Sequence, residues 1–367
     1  MKPTKRHTIM QGANPCLPYL NQHKARRSIM IAKRESDYPI PYNPLWNRVD
    51  PSKVEVWLSC PRLYFFQHVL GWKTTKPNNH LAFGTAMHLA LEHMLNNKDR
   101  GYGRDVIIEA FDAFLTSYRS EGFSEEADEL YTPKTPANML QALIYYAGRW
   151  EKEDKNLDVL YTEVSGSVPI SSNRSITYKI DAIVQDQRTG NIFTLEHKSG
   201  SRITRQWEDK WALHNQPCAY THVLYSLFDP KLVKGVKING IHFIKRKTNP
   251  VEFIRLPCWK RPSQMGAWLW EINNIFDEMK FEFIRFSKCS PDDSILKAFP
   301  KNPESCTKYF GCPFHDFCCA WSNPLSRADE VPHGYEVSHW DPMAVESPTT
   351  TRKDISEGYL KYAELLD

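Results

Sequence analysis

The chain has 367 residues, of which 41% are hydrophobic and 25% charged, so it can bury a full core as an ordinary globular protein. No apolar run approaches the ~18 residues that a membrane span requires, and the first residues lack the apolar core of a signal peptide. We therefore expect a cytoplasmic protein of a bacterium or phage-infected cell rather than of an organelle. The formal net charge of +4 is too small to indicate nucleic-acid binding by itself.

The chain begins with a basic segment that contains almost no acidic residues. Its Lys and Arg side chains are Lys2, Lys5, Arg6, Lys24, Arg26, Arg27, Lys33 and Arg34. An organelle-targeting leader has this composition, and so does a disordered basic arm. We expect a flexible arm over residues 1–45.

Hydrophobic periodicity then predicts the elements in chain order. Helical spacing of apolar residues predicts helices over 52–70, 82–97, 104–120 and 135–153. Runs rich in Val, Ile, Thr, Tyr and Phe predict strands over 160–170, 176–185 and 191–198. The rest predicts a helix at about 206–227, strands at 236–246 and 250–256, a helix over 263–286, and a weakly ordered tail after residue 322. This order predicts an α/β fold.

The third predicted strand ends in TLEHKSG, which places charged residues at the end of an apolar run. Residues two apart in a strand point to one face, so Glu196 and Lys198 project together, and the hairpin partner TYKIDAIV brings Asp181 nearby. Two converging carboxylates favour a cation such as Mg²⁺ or Mn²⁺, and a lysine beside it can orient or deprotonate a water and stabilise charge on phosphorus. This chemistry suits phosphodiester hydrolysis. A surface hairpin with an ordinary Glu and Lys has the same pattern.

Two further motifs resemble those of a known family. Asp181 and the Glu196-x-Lys198 pair resemble the signature of the PD-(D/E)XK nucleases. Their RecB-like branch also has an upstream Gly-Thr-x-x-His and a later Gln-x-x-x-Tyr. The matching residues in GTAMHLALE and QPCAY are Gly84, Thr85, His88, Gln216 and Tyr220. The resemblance implies a restriction-endonuclease-like core, with a central mixed sheet flanked by helices.

The resemblance also implies roles for individual residues. His88, Asp181, Glu196 and the carbonyl of His197 would be metal ligands, with Lys198 as the catalytic lysine. Gln216 and Tyr220 would position that lysine or a DNA phosphate. Glu92 receives no firm role, and a single His on an apolar helix, such as His88, is often only a core residue.

The cysteines carry a second resemblance. Cys16, Cys218, Cys258 and Cys289 are scattered, and an intracellular chain is not expected to form a disulfide framework. Some RecB-like nucleases hold a [4Fe–4S] cluster with one Cys before the nuclease core and three after it. The corresponding residues here are Cys60, Cys306, Cys312 and Cys318. Four thiolates would close a structural site that ties the C-terminal segment to an N-terminal helix.

The cysteine spacing leaves alternatives open. Cys319 can replace Cys318, and the metal can be Zn²⁺, with His315 as a further candidate ligand. Free buried thiols are the remaining alternative.

A basic, aromatic stretch follows the strand that carries Lys198. Its residues Arg202, Arg205, Trp207, Lys210 and Trp211 combine phosphate-binding and base-stacking side chains, which suits single-stranded DNA. A solvated helix whose tryptophans pack in the core would look the same. The cluster IKRKTNP at 244–250 is a candidate backbone contact.

The patterns together predict a nuclease domain over 46–320 and a C-terminal tail over 321–367. We expect a metal-dependent DNA exonuclease that acts on single-stranded or end-bearing DNA in recombination, repair or phage DNA metabolism. A catalytically silent DNA-binding or assembly protein is the first alternative, and a zinc-stabilised protein with a fortuitous Glu-x-Lys match is the second. No GxxxxGK[ST] motif occurs, so a helicase or recombination partner would be a separate chain.

Overall fold

The computed structural model describes residues 31, 37–246, 248–308, 311–344 and 350–356. The expected basic arm up to residue 30, including Cys16, lies outside the described residues, as do Lys247 of the second basic cluster and the last eleven residues, 357–367. Within the described ranges, no helix has both the length and the apolar character needed to cross a membrane.

The elements alternate between helical and strand segments. The helices are α1 (Pro51–Ser59), α2 (Pro61–Tyr64), α3 (Asn79–Asn96), α4 (Arg104–Ser120), α5 (Pro136–Asp154), α6 (Arg205–Lys210), α7 (Asn215–Leu227), α8 (Pro262–Phe286) and α9 (His315–Ala320). The strands are β1 (Trp72–Thr74), β2 (Leu157–Ser171), β3 (Arg174–Asp186), β4 (Ile192–Gly200), β5 (Val233–Phe243), β6 (Val251–Trp259), β7 (Tyr335–Val337) and β8 (Thr351–Arg352).

Six strands form one mixed sheet in the order β6-β5-β4-β3-β2-β8. β2, β3 and β4 pair antiparallel as a meander, whereas β4 and β5 pair in parallel across the crossover that contains α7. Residues of β5 pack into two hydrophobic clusters, one on each face of the sheet. Val236 and Ile238 pack in the cluster that contains α7 and α8, and Ile241 and Phe243 pack in the cluster that contains α3, α4 and α5. The predicted α/β fold with a mixed sheet flanked by helices is confirmed.

Two predicted helices are each broken in the structure. The helix predicted over 52–70 is interrupted at Cys60, which is extended (φ −164°, ψ 114°) because the ring of Pro61 disfavours helical backbone in the residue before it. The helix predicted over 206–227 is two helices, α6 and α7. Thr204 caps the first, and His214 caps the second through its Nδ1 atom.

The expectation of weak order after residue 322 is wrong for two described segments. β7 pairs with β1, and β8 pairs in parallel with the edge strand β2. The chain after β8 lies so close to β2 that a Cβ added at Gly166 would be 1.9 Å from the carbonyl oxygen of Lys353. Only glycine fits at this position. The predicted boundaries of the nuclease domain and tail remain predictions.

Candidate active site

The centre of the sheet opens where β3 and β4 separate. Their paired residues end at Ala182 and Leu195, immediately before Asp181 and Glu196. Here the side chain of Asp181 replaces the main-chain partner, because its Oδ2 accepts a hydrogen bond from the main-chain N–H of His197 at 2.7 Å. The separation of the strands thus holds a buried carboxylate in a fixed orientation at the end of the sheet.

Glu196 and Lys198 project from β4 toward α7. The Lys198 Nζ donates to Glu196 Oε1 at 2.7 Å, and the Gln216 Nε2 donates to the same oxygen at 2.9 Å. Gln216 Nε2 also lies 3.0 Å from the Tyr220 hydroxyl, which in turn donates to the carbonyl of Lys179 in β3. The predicted residues of β4 and α7 therefore form one hydrogen-bonded chain that fixes the Glu196 carboxylate.

His88 approaches the same point from α3. Its Nδ1 lies 3.2 Å from Asp181 Oδ1, and its ring meets that of His197 edge to face at 5.8 Å between centroids. Burial alone would lower the pKa of His88, but the Asp181 carboxylate raises it above its ordinary value. The structure therefore brings His88, Asp181, Glu196, His197 and Lys198 together, as the sequence predicts.

The pKa values of the two carboxyl groups, Asp181 and Glu196, are shifted in opposite directions. Burial and the neighbouring Asp181 charge raise the pKa of Glu196 to about 7. Burial also acts to raise the pKa of Asp181, but His88, His197 and Lys198 outweigh it and hold that pKa below its ordinary value. The Asp181 carboxylate is consequently ionised, whereas a nearby cation would favour ionisation of Glu196.

The donor set fits a divalent metal ion. Glu196 Oε2 is buried and, within the described residues, has no hydrogen-bond partner, so one carboxylate oxygen is left to face a cation. Asp181 and the carbonyl of His197 add oxygen donors, which Mg²⁺ and Mn²⁺ prefer. As the side chains stand, no three His, Cys, Asp or Glu groups in the described part of the chain are arranged to hold a metal ion. Metal binding would therefore involve small side-chain movements.

The residue His197 has a second function in packing. Asn239 Nδ2 lies 2.9 Å from its Nδ1, inside a buried group that includes Tyr146. Burial lowers the pKa of His197 to about 3, so the ring is neutral and accepts this hydrogen bond. The imidazole anchors the main chain of β4, which leaves the carbonyl oxygen as the part of His197 suited to a metal.

A third carboxylate, Glu163, is missing from the residues predicted by sequence. It lies in β2 at the position facing Asp181, between the register pairs of Thr162 and Val164, with a positive φ of 45°. Its Oε2 is 3.5 Å from Lys179 Nζ, and burial followed by the Asp181 charge raises its pKa to about 7. A buried acid within the strand YTEVSGSV was the available signal.

The tryptophans after β4 belong largely to the packed interior. Trp211 is 3% exposed and lies 5.8 Å from Lys198 Nζ. Trp207 meets His242 edge to face at 4.6 Å and covers Gly240, where an added Cβ would lie 2.8 Å from the indole. Both rings therefore pack against other residues of the protein, as in the alternative of a solvated helix whose tryptophans lie in the core. The predicted cations Arg202, Arg205 and Lys210 are exposed around them.

The C-terminal segment crosses back over the end of α1. The main-chain N–H of Asn302 donates to Cys60 Sγ at 3.3 Å, and its side-chain amide donates to the carbonyl of Ser59 at 2.8 Å. The Ser305 hydroxyl donates to the same carbonyl at 2.7 Å. Cys60 is thus joined to the segment that carries the C-terminal cysteines, although about 240 residues separate them in sequence.

The other predicted cysteines lie in this neighbourhood. Burial raises the pKa of Cys318 to about 11; Arg62 opposes this shift, and the Cys312 and Cys60 thiols add to it. Arg62 Nη1 is buried and has no hydrogen-bond partner in the described part of the chain, so a negative charge among the thiols would meet an available donor. Cys319 is exposed and lies 3.8 Å from a ring nitrogen of His315. The donor chemistry fits a thiolate-held metal group.

Comparison with known proteins identifies a family. A model of the PD-(D/E)XK nuclease superfamily matches residues 48–318, which includes every residue of the candidate site and the span from Cys60 to Cys318. No curated protein matches the chain.

Proposed function

The chain belongs to the PD-(D/E)XK nuclease superfamily, and on this premise we propose that it is a Mg²⁺- or Mn²⁺-dependent DNA exonuclease of the RecB-like branch. The observation that carries the proposal is the meeting of Asp181, Glu196 and Lys198 at the opening between β3 and β4, where one buried Glu196 oxygen has no donor among the described residues.

In the proposed mechanism, Asp181, Glu196, His88 and the carbonyl of His197 would hold a metal ion. A bound Mg²⁺ or Mn²⁺ would polarise a phosphoryl oxygen and favour ionisation of water. The Lys198 ammonium, which Glu196 and Asp181 keep protonated by raising its pKa against the effect of burial, stabilises negative charge on the phosphoryl group. Gln216 and Tyr220 hold Glu196 and, through it, Lys198 in position.

The substrate proposed is single-stranded or end-bearing DNA. Its support is the group of exposed cations that follows β4 directly, since Arg202, Arg205 and Lys210 can contact phosphates of a strand entering the site. Arg205 remains available to a phosphate because its ion pair with Asp209 is weak. The distance from Arg205 Nε to Asp209 Oδ2 is 3.4 Å, and both side chains are exposed.

We further propose that Cys60, Cys306, Cys312 and Cys318 hold a [4Fe–4S] cluster, with structural Zn²⁺ as the alternative. Support comes from the contact of Cys60 with Asn302 and from the guanidinium of Arg62 beside the thiols, whose Nη1 has no hydrogen-bond partner in the part of the chain that the structure describes. The cluster would fasten the C-terminal segment to α1. A separate helicase or recombination protein would supply unwound DNA, and a cytoplasmic location is part of this proposal.

The direct test uses three DNA substrates with Mg²⁺ or Mn²⁺: end-labelled linear single strands, linear duplexes and closed single-stranded circles. An exonuclease degrades linear DNA, releases mononucleotides or short products and leaves the circles intact, and EDTA stops the reaction. Nicking of the circles would replace the exonuclease proposal with an endonuclease. Binding without cleavage under every metal condition would favour the catalytically silent alternative.

A further inference from the structure

A buried lysine lies beside the active site without an acidic partner. Lys134 is 7% exposed, and its Nζ donates to the Ser199 hydroxyl at 2.9 Å. Within the described ranges, no carboxylate oxygen lies within the 4.0 Å that defines an ion pair with this nitrogen. Charged side chains are rarely buried unpaired, because removing an ammonium from water is costly. Packing in the core therefore does not account for a charged side chain at Lys134.

The surroundings of Lys134 favour an anion. Its Nζ lies 5.8 Å above the ring of Phe83, whose face is only weakly attractive to a cation. Burial and then the Lys134 charge lower the pKa of His80, and the same charge contributes to lowering the pKa of His242. Burial also lowers the pKa of Lys134 itself to about 8. A negative group brought to this corner would relieve the repulsion.

Lys134 contacts β4, the strand that carries Lys198, through the Ser199 hydroxyl. Ser199 follows Lys198 directly in β4 and is half-buried; because neighbouring residues of a strand point to opposite faces, its side chain lies on the face of β4 that it shares with His197. On the other side, a Cβ added at Gly84 would lie 3.9 Å from Ser199 Oγ, which places α3 against the pair. Gly84 precedes His88 by one helical turn, and residues four apart lie on the same face of a helix. The Ser199–Lys134 pair is thus adjacent to the predicted metal ligands along both β4 and α3.

We propose that Ser199, oriented by Lys134, binds the DNA phosphate next to the one that is cleaved. A serine hydroxyl has one O–H donor and two acceptor lone pairs. Because Ser199 Oγ accepts the hydrogen bond from Lys134, its own proton is free to point outward and donate to a phosphate oxygen. Ser199 contacts the substrate, and Lys134 is a positioning residue that also supplies positive charge. This proposal rests on the proposed function, since it assigns a second phosphate position to the same site.

The test measures binding, so that it does not depend on cleavage. Short fluorescent single-stranded oligonucleotides carry one neutral methylphosphonate linkage at successive positions, and their Kd is measured by anisotropy with Ca²⁺. For the wild type, the neutral linkage at one position is expected to weaken binding about tenfold, since a hydrogen bond to a charged group is lost. Lys134→Met and Ser199→Ala are expected to weaken binding of natural DNA by a similar factor and to remove the methylphosphonate effect at that position only.

Two controls separate this function from loss of structure. Lys98 is buried to the same extent, at 6% exposed, but pairs with Asp99 beyond the far end of α3, so Lys98→Met is expected to keep the wild-type methylphosphonate profile. Lys134→Arg keeps the charge and is expected to restore part of the affinity. Variants of Lys134 and Ser199 that keep the full methylphosphonate effect, or lose it equally at every position, would overturn the proposal. If the wild type binds with this profile but cleaves no DNA with Mg²⁺ or Mn²⁺, the nuclease proposal fails and the phosphate position stands.

Discussion

Lys198 is held between an acid and an aromatic ring, and this arrangement decides its chemical form. Its Nζ lies 2.7 Å from Glu196 Oε1 and 5.8 Å from the Trp211 ring. Burial would favour the neutral amine, but Glu196 and Asp181 raise the pKa above its ordinary value. The ammonium form therefore predominates, so stabilisation of negative charge suits this lysine better than proton abstraction.

Replacing Lys198 should remove that stabilisation. We expect Lys198→Met to lower the rate of metal-dependent DNA cleavage by at least ~10²-fold, because a charge that acts on the transition state is lost. Initial rates on end-labelled DNA measure the effect. Lys210→Met, which removes an exposed lysine near the same tryptophans, is the matched control and should change mainly DNA affinity. A Lys198→Met enzyme within tenfold of the wild-type rate would contradict this role.

His88 should affect metal affinity more than the chemical step. A neutral imidazole adds a ligand but no charge, so we expect His88→Ala to raise the Mg²⁺ concentration needed for half-maximal cleavage and to recover activity with added Mn²⁺, which binds nitrogen and oxygen ligands more tightly. A metal titration of the cleavage rate measures both effects. His93→Ala, on the same helix but paired with Glu109, should behave like the wild type. An unchanged metal dependence in His88→Ala would rule out His88 as a ligand.

At the scale of elements, α7 joins the active site to the far end of the sheet. Gln216 and Tyr220 face Glu196 and β3, and the next turn places His222 in the core, where its Nε2 lies 2.7 Å from the carbonyl of Pro169 in β2. Burial lowers the pKa of His222 to about 4. The ring can donate to that carbonyl whether it is neutral or protonated, so burial of the charge, and not loss of this hydrogen bond, makes protonation of His222 unfavourable in the folded protein.

The burial of His222 predicts a pH dependence of stability. Because the folded pKa lies below the unfolded value near 6.5, His222 contributes stability above pH 6.5 that is lost as the pH falls toward 4. The contribution is about 3 kcal/mol. We expect His222→Gln, whose amide can still donate to Pro169, to reduce the fall in unfolding free energy between pH 6.5 and 4.5. Urea unfolding at several pH values measures this slope, and equal slopes for the two proteins would disprove the assignment.

The cysteine segment makes a second prediction at this scale. Cys60→Ser, Cys306→Ser, Cys312→Ser and Cys318→Ser should each lower bound iron and the melting temperature, because the group that fastens the C-terminal segment to α1 loses a ligand. Cys319→Ser is the matched control, since Cys319 is exposed beside His315. Iron and sulfide analysis of anaerobically purified protein measures the cluster. One equivalent of zinc without iron would support the alternative metal, and metal-free wild type would end the assignment.

The sequence predicts the elements that follow a regular period. The alternation in TLEHKSG correctly indicates that Glu196 and Lys198 share a face, and the helical spacing around His88 matches α3. The apolar pattern over 206–227 predicts one helix and does not show the break between α6 and α7. Pro217, in the first turn of α7, is the signal for a helix start there. For Glu163 the sequence offers only an acidic residue within a strand-like run, and for Lys134 it offers no signal, because the importance of both comes from contacts with β3 and β4 that are distant in sequence.

At the scale of the whole molecule, the C-terminal part of the described chain returns to α1, to β1 and to the edge of the sheet. Residues 302–305 contact the end of α1, and β8 extends the sheet beside β2, where the Tyr178 hydroxyl donates to the carbonyl of Lys353 at 2.5 Å. The candidate site lies within this frame, at the opening of β3 and β4. On the proposed function, we expect the side chains at this opening to determine activity and the C-terminal contacts to hold them in position.

The proposal that Glu196 helps to hold a metal ion for DNA cleavage is tested most directly by comparing the wild type with Glu196→Gln. The amide keeps the shape of Glu196 and can still accept a hydrogen bond from Lys198, but it removes the charge that a metal ion would meet. The rate of cleavage of end-labelled single-stranded DNA is measured across a Mn²⁺ titration, with circular dichroism to verify the fold. We expect Glu196→Gln to be folded and at least ~10²-fold slower at every metal concentration. A folded Glu196→Gln protein that cleaves DNA at the wild-type rate would contradict the proposed metal site.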